Sequence, residues 1–122
     1  MAYKNYTHID LTYLYDMSDN DNQFVIEIMK IFIEQVPGEL DKLAVAIEGQ
    51  EWSSVHSIVH KLKSSVNHVG IKSIVPIIQQ IESSTHDLVN LDTIQSKYLQ
   101  IKTVCYAAIE ELKSESKWLA EN

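Results

Sequence analysis

The stretch WSSVHSIVHKLKSSVNHVG, residues 52–70, decides the fold. At 100° per residue, Val55, Ile58, Val59, Leu62, Val66 and Val69 gather on one side of a helical wheel, the pattern of a helix that buries a single stripe. Gly70 follows as a left-handed cap with Ile71 able to fold back over it, so the spacing predicts a helix over residues 52–69.

The same period continues on both sides. Upstream, nine of the thirteen residues 24–36 are apolar and cover an arc of about 220°, wider than packing against one neighbour requires. Leu40, Leu43, Ala44 and Ile47 resume the stripe after Pro37-Gly38, which predicts one long helix over about 21–49, kinked near 37, or two nearly collinear ones. Asp19 or Asp21 can cap it. A short helix with Ile9, Leu11, Leu14 and Met17 precedes it, starting near Asp10. Downstream, Ser73 is placed to cap a helix over 73–84 with Pro76 in its first turn and Ile74, Ile77, Ile78 and Ile81 as its stripe. Asp92 is placed to cap a last helix over 92–119 carrying Ile94, Tyr98, Ile101, Cys105, Ala108 and Leu112. The expected fold is all-α: an antiparallel up-down-up-down four-helix bundle with a short extra N-terminal helix, in one domain spanning 1–122.

Composition agrees. A chain of 122 residues, 45% hydrophobic, is the size of one domain. Its single cysteine, Cys105, can form no internal disulfide, which fits a reducing compartment. Ten lysines, no arginine and 17 acids give a net charge of −7, which argues against nucleic-acid binding. Neither a signal peptide nor a membrane-spanning run is evident, so the expected location is cytoplasmic, away from membranes. The start at Met1 with a short lead-in favours a free-standing protein.

Opposite the buried stripe of residues 52–69, Ser53, His56, His60, Lys63, Ser64 and Asn67 lie within about 60° of His60, all polar and mostly small. His60 is therefore expected to be an exposed imidazole in an uncrowded patch, with a cation one turn away. Such an imidazole, neutral near pH 7 and reachable by a bulky partner, is a competent nucleophile when one ring nitrogen is held as N–H and the other is free to attack.

The segment from Val59 to Gly70 resembles the histidine-containing phosphotransfer (HPt) domains of multistep phosphorelays, whose pattern is His-x-Leu-Lys-Gly-Ser/Ala with a Gly ten residues after the His. His60, Leu62, Lys63, Ser65 and Gly70 match. The likeness extends to Phe32-Ile33-Glu34-Gln35, to Glu51-Trp52 and to the amphipathic helix after Gly70. Ser64 stands where the family usually has Gly, and its hydroxyl could donate to a phosphoryl oxygen.

The resemblance implies that His60 is the phosphoacceptor and that Glu82, twenty-two residues on, accepts a hydrogen bond from its Nδ1–H, leaving Nε2 to carry the phosphoryl group. Lys63 would offset phosphoryl charge, while Lys61 points elsewhere. The partners implied are receiver domains, one of a hybrid histidine kinase and one of a response regulator. They would supply the aspartyl phosphate and Mg²⁺, so that this protein, a monomer, needs no cofactor and has no kinase activity of its own. Leu11, Leu14 and Met17, the apolar arc of residues 24–36, His56 and Asn67 are the expected docking surface.

Three other readings compete. His56 and His60 at i, i+4, with His68 nearby, suggest a metal site, but acid or thiolate ligands are missing from the neighbourhood. The phosphoacceptor domain of a histidine kinase resembles His-Glu-Leu-Arg/Lys-Thr-Pro, whereas Lys61 follows the His here and no Pro does. A non-catalytic helical scaffold would use the apolar arc for a partner helix. Residues 52–81 contain no acid but three lysines, a local +3 against −10 elsewhere, which suits a face that meets a receiver's acidic pocket.

Overall fold

The computed structural model describes residues 5–122, and among them the chain forms five α-helices and no strand. They are α1 (Thr12–Met17), α2 (Asn22–Glu48), α3 (Trp52–His68), α4 (Val75–Asp87) and α5 (Ile94–Glu121). Helix α2 packs against α3 and α5, and α4 against the same two, so the four long helices close a ring with α1 laid on α2. The expected antiparallel bundle with a short N-terminal helix is present.

The apolar stripes meet inside this ring. Met29, Leu40 and Leu43 of α2, Val55, Val59 and Val66 of α3, Ile78 and Ile81 of α4, and Ile94, Ile101, Cys105 and Leu112 of α5 are fully buried. Each large aliphatic side chain contributes about 1.5–3 kcal/mol by leaving water. That sum explains why Pro37 does not divide α2, which runs unbroken for 27 residues. The missing N–H at Pro37 leaves the carbonyl of Ile33 without its helical donor, at a cost of about 3 kcal/mol. Buried Phe32 and Val36 before it and Leu40 and Leu43 after it outweigh that loss. The Asp21 side chain accepts from the amide of Phe24 (3.2 Å) and so caps the helix as expected.

Two expected caps are corrected. Ser73 lies inside a 3₁₀ turn, Lys72–Ile74, and no side chain caps α4, although Pro76 does sit in its first turn. Asp92 lies inside a second such turn, Leu91–Thr93, and α5 begins only at Ile94. In both places a tight turn absorbs the free amides that a cap would otherwise meet. Helix α4 also runs beyond the expected 84, to Asp87, because Ser84 and Thr85 are buried against the bundle. The Thr85 hydroxyl is satisfied by the carbonyl of Ile81 (2.8 Å).

The end of α3 follows the sequence closely. Gly70 has φ +68°, its amide bonds to Asn67 O (3.2 Å), and the amide of Ile71 bonds to Val66 O (3.1 Å), a Schellman closure. Any Cβ at Gly70 would overlap the backbone of Asp10, whose amide donates to Val69 O (3.1 Å).

Leu11 and Leu14 do not belong to a docking surface. Both are buried in the core, because α1 and the residue that precedes it turn their apolar side inward, and of the three residues expected to be exposed here only Met17 is. Helix α1 and the segment before it are tied to α5 by two acids. Glu115 accepts from Tyr6 Oη (2.7 Å) and Tyr15 Oη (2.6 Å), while Glu111 accepts from the amides of His8 (3.0 Å) and Ile9 (3.1 Å) and contacts His8 Nδ1 (2.9 Å). Burial, reinforced by the Glu115 carboxylate, pushes the Tyr6 hydroxyl well above its ordinary value.

Candidate functional site

The outer ridge of α3 is polar because its inner stripe has taken the apolar residues, and His60 stands on that ridge with 67% of its side chain exposed. Its Nδ1 lies 2.9 Å from Oε2 of Glu82 on α4. The other oxygen of the same carboxylate accepts from Lys63 Nζ (2.8 Å). Glu82 is only 14% exposed, and burial alone would push its carboxyl up. The hydrogen bonds and charges of Lys63 and His60 outweigh that and hold it below its ordinary value. An ionised carboxylate can only accept, so the shared proton sits on Nδ1 of His60, and the lone pair of the neutral ring is on Nε2.

Ser64 and Asn67 are exposed along the same ridge, one and two turns beyond His60. His56, a turn before it, is half-buried and stacks on His60 with ring centroids 6.5 Å apart and planes 7° from parallel. Lys61 leaves the ridge and meets Glu39 of α2 (3.4 Å). His68 also turns toward α2, where it lines a groove of about 250 Å³ with Ile28, Ile31, Gln35, Lys61 and Ser65. It is therefore not part of a histidine cluster around His60, and among the described residues no three His, Cys, Asp or Glu are grouped to hold a metal ion.

Two participants were not legible from α3 alone. His86 of α4 stands 6.4 Å from His56, and Thr85 Oγ1 lies 3.0 Å from His56 Nδ1. The signal lay in the antiparallel register: a pairing that sets residue 82 opposite 60 also sets 86 opposite 56.

The expectation of a cleared basic face is corrected. All three lysines of the acid-free stretch meet acids brought from elsewhere: Lys61 meets Glu39, Lys63 meets Glu82 and Lys72 meets Asp10 (3.0 Å). Bundle packing places those acids beside the lysines, so the +3 read along the chain is largely cancelled in space.

An exposed imidazole, oriented through Nδ1 by a carboxylate from the next helix of a four-helix bundle, is what a phosphohistidine carrier requires. A family model of the Hpt domain matches residues 27–114, most of the chain, including all of α3 and α4. The chain belongs to the Hpt domain family. No curated protein and no solved structure matches it. As an Hpt domain it takes part in phosphorelay signalling, a phosphocarrier role exercised through receiver domains. No helix among the described residues of this Hpt domain is long and apolar enough to cross a membrane.

Proposed function

We propose that this Hpt domain accepts a phosphoryl group on Nε2 of His60 from the receiver-domain aspartate of a hybrid histidine kinase and passes it to the receiver aspartate of a response regulator. The observation that carries this is the Nδ1 contact of exposed His60 with Glu82. With that proton held, Nε2 presents its lone pair to the phosphorus of an aspartyl phosphate. The Nε2–P bond forms as the P–O bond to the aspartate breaks, and the aspartate leaves as a carboxylate. The ring becomes cationic, and Glu82 stabilises it through Nδ1–H. The second transfer reverses these events on another aspartate.

Lys63 has one proton engaged by Glu82 and two left for phosphoryl oxygens. The hydroxyl of Ser64 is a further donor. Mg²⁺ and the aspartyl phosphate come with the receiver, and the Hpt domain needs no cofactor and no kinase activity. The receiver docks over the ridge and the adjoining apolar surface, where Met17, Phe24 and Ile31 are exposed, Asn67 lies on the ridge and the α2–α3 groove opens.

The test is transfer of labelled phosphoryl from a phosphorylated receiver domain. Wild-type protein should be labelled and His60→Gln should not, and neither should take label from ATP alone. Equal labelling of His60→Gln would reject His60 as the acceptor.

A further inference from the structure

His56 is held as deliberately as His60, and phosphoacceptance on His60 gives its arrangement no use. Thr85 is a buried residue, and its single hydroxyl proton is directed to the carbonyls of Ile81 (2.8 Å) and Glu82 (3.1 Å). Its oxygen therefore faces Nδ1 of His56 (3.0 Å) as an acceptor, which keeps the proton on Nδ1 and leaves the lone pair of the neutral ring on Nε2. Both rings are thus anchored through Nδ1 on α4 and lie near-parallel with centroids 6.5 Å apart, an arrangement that puts the two Nε2 atoms on the corresponding side of each ring.

We propose that His56 is a positioning residue for the phosphoryl group: its Nε2 takes a proton from solvent when His60 is phosphorylated, and the imidazolium faces the phosphoryl oxyanions. This rests on the phosphoacceptor role of His60. Only a proton is gained, on His56 Nε2, and the Nε2–P bond of His60 is untouched. The other charged or titratable groups on this side are Lys63 of α3 and Glu82, His86 and Asp87 of α4. Lys63 and Glu82 bond each other (2.8 Å), and His86 bonds Asp87 (2.9 Å), which leaves His56 as the imidazole next to His60 without a carboxylate partner.

The experiment uses the full chain, phosphorylated with phosphoramidate, with the ring resonances of His56 followed by NMR against pH before and after. Addition of a phosphoryl group at this separation, screened by solvent, should raise the His56 titration midpoint by about 0.5–1 pH unit. By linkage, protonation then favours the phosphorylated state by the same factor, roughly 3- to 10-fold. Because His60 Nε2 must itself be free of a proton to accept the group, the readout is the difference between proteins: from pH 8 to pH 6 the equilibrium with a phosphorylated receiver should favour the wild-type protein over His56→Asn by that factor. His86→Gln should match the wild type, whereas loss of a merely structural His56 would lower the melting temperature and leave the pH profile unchanged. An unchanged midpoint on a protein labelled at His60 overturns this inference alone. Label that persists in His60→Gln overturns both it and the phosphoacceptor reading.

Discussion

At the scale of single residues, one carboxylate does two things. Glu82 uses Oε2 to fix the tautomer of His60 and Oε1 to hold Lys63 beside it. Removing it with Glu82→Ala should slow phosphotransfer about 10- to 100-fold, the equivalent of one charge-assisted hydrogen bond. Glu82→Gln, which keeps an acceptor but loses the charge, should fall between that and wild type. Rapid-quench transfer from a phosphorylated receiver measures both, and an Ala variant as fast as wild type would remove Glu82 from the mechanism. His60, Lys63 and Glu82 were legible because a short motif and a fixed offset carried them. Thr85 and His86 were not, since nothing in the local sequence of α4 marks a hydroxyl as buried under an imidazole of α3.

At the scale of elements, Gly38 and Gly70 respond to substitution in opposite ways. Gly38 lies within α2, exposed, and a Cβ there would meet nothing within 4 Å. Gly38→Ala should therefore stabilise the protein by ~0.5–1 kcal/mol, through helix propensity and a less free unfolded chain. Gly70 has a left-handed backbone and sits against Asp10. Gly70→Ala should cost at least about 1–2 kcal/mol for the backbone alone, with the displaced α1 segment adding to it. Denaturant melts of both variants check the sign at each site. The helix at residues 52–69 was legible almost to the residue because its stripe and its cap agree. The start of α5 was displaced because a 3₁₀ turn took the place of the expected Asp92 cap.

For the whole molecule, acid should act through three carboxyls. The Thr12 hydroxyl and amide, then Lys72, hold Asp10 down to about 2 from an ordinary 3.8. Burial pushes Glu111 up, but His8 and the amides of His8 and Ile9 more than reverse it, and Glu82 is likewise held below 4.5. A carboxyl held low in the folded state stabilises the fold at pH above its unfolded value, and the contribution disappears as pH falls through its folded value. The melting temperature should therefore decline from about pH 4.5 down to about pH 2, and Glu111→Gln should flatten the upper part of that decline. Thermal melts followed by circular dichroism across this range measure it. A variant with the wild-type slope would show that the contacts of Glu111 with His8 and Ile9 contribute nothing to acid sensitivity.

Periodicity and caps are local, and the sequence alone determined what depends on them: an all-α bundle, the buried stripes, the Gly70 cap and an exposed His60 with Lys63 one turn on. Tertiary packing decided what depends on which residues face each other across helices. It buried Leu11 and Leu14, placed Thr85 under His56 and tied the N-terminal segment to Glu111 and Glu115. Glu115 continues the apolar row of Leu112 and Leu119, so its position was readable, yet its partners, Tyr6 and Tyr15, lie about a hundred residues away. The charge pattern shows the division most clearly. Read along the chain, residues 52–81 form a +3 island, whereas in the fold Glu39, Glu82 and Asp10 stand within 4 Å of its three lysines. Charge interacts through space and not along sequence, and only the packing of α2 and α4 against α3, and of the segment at Asp10 against the turn that follows α3, brings those acids there.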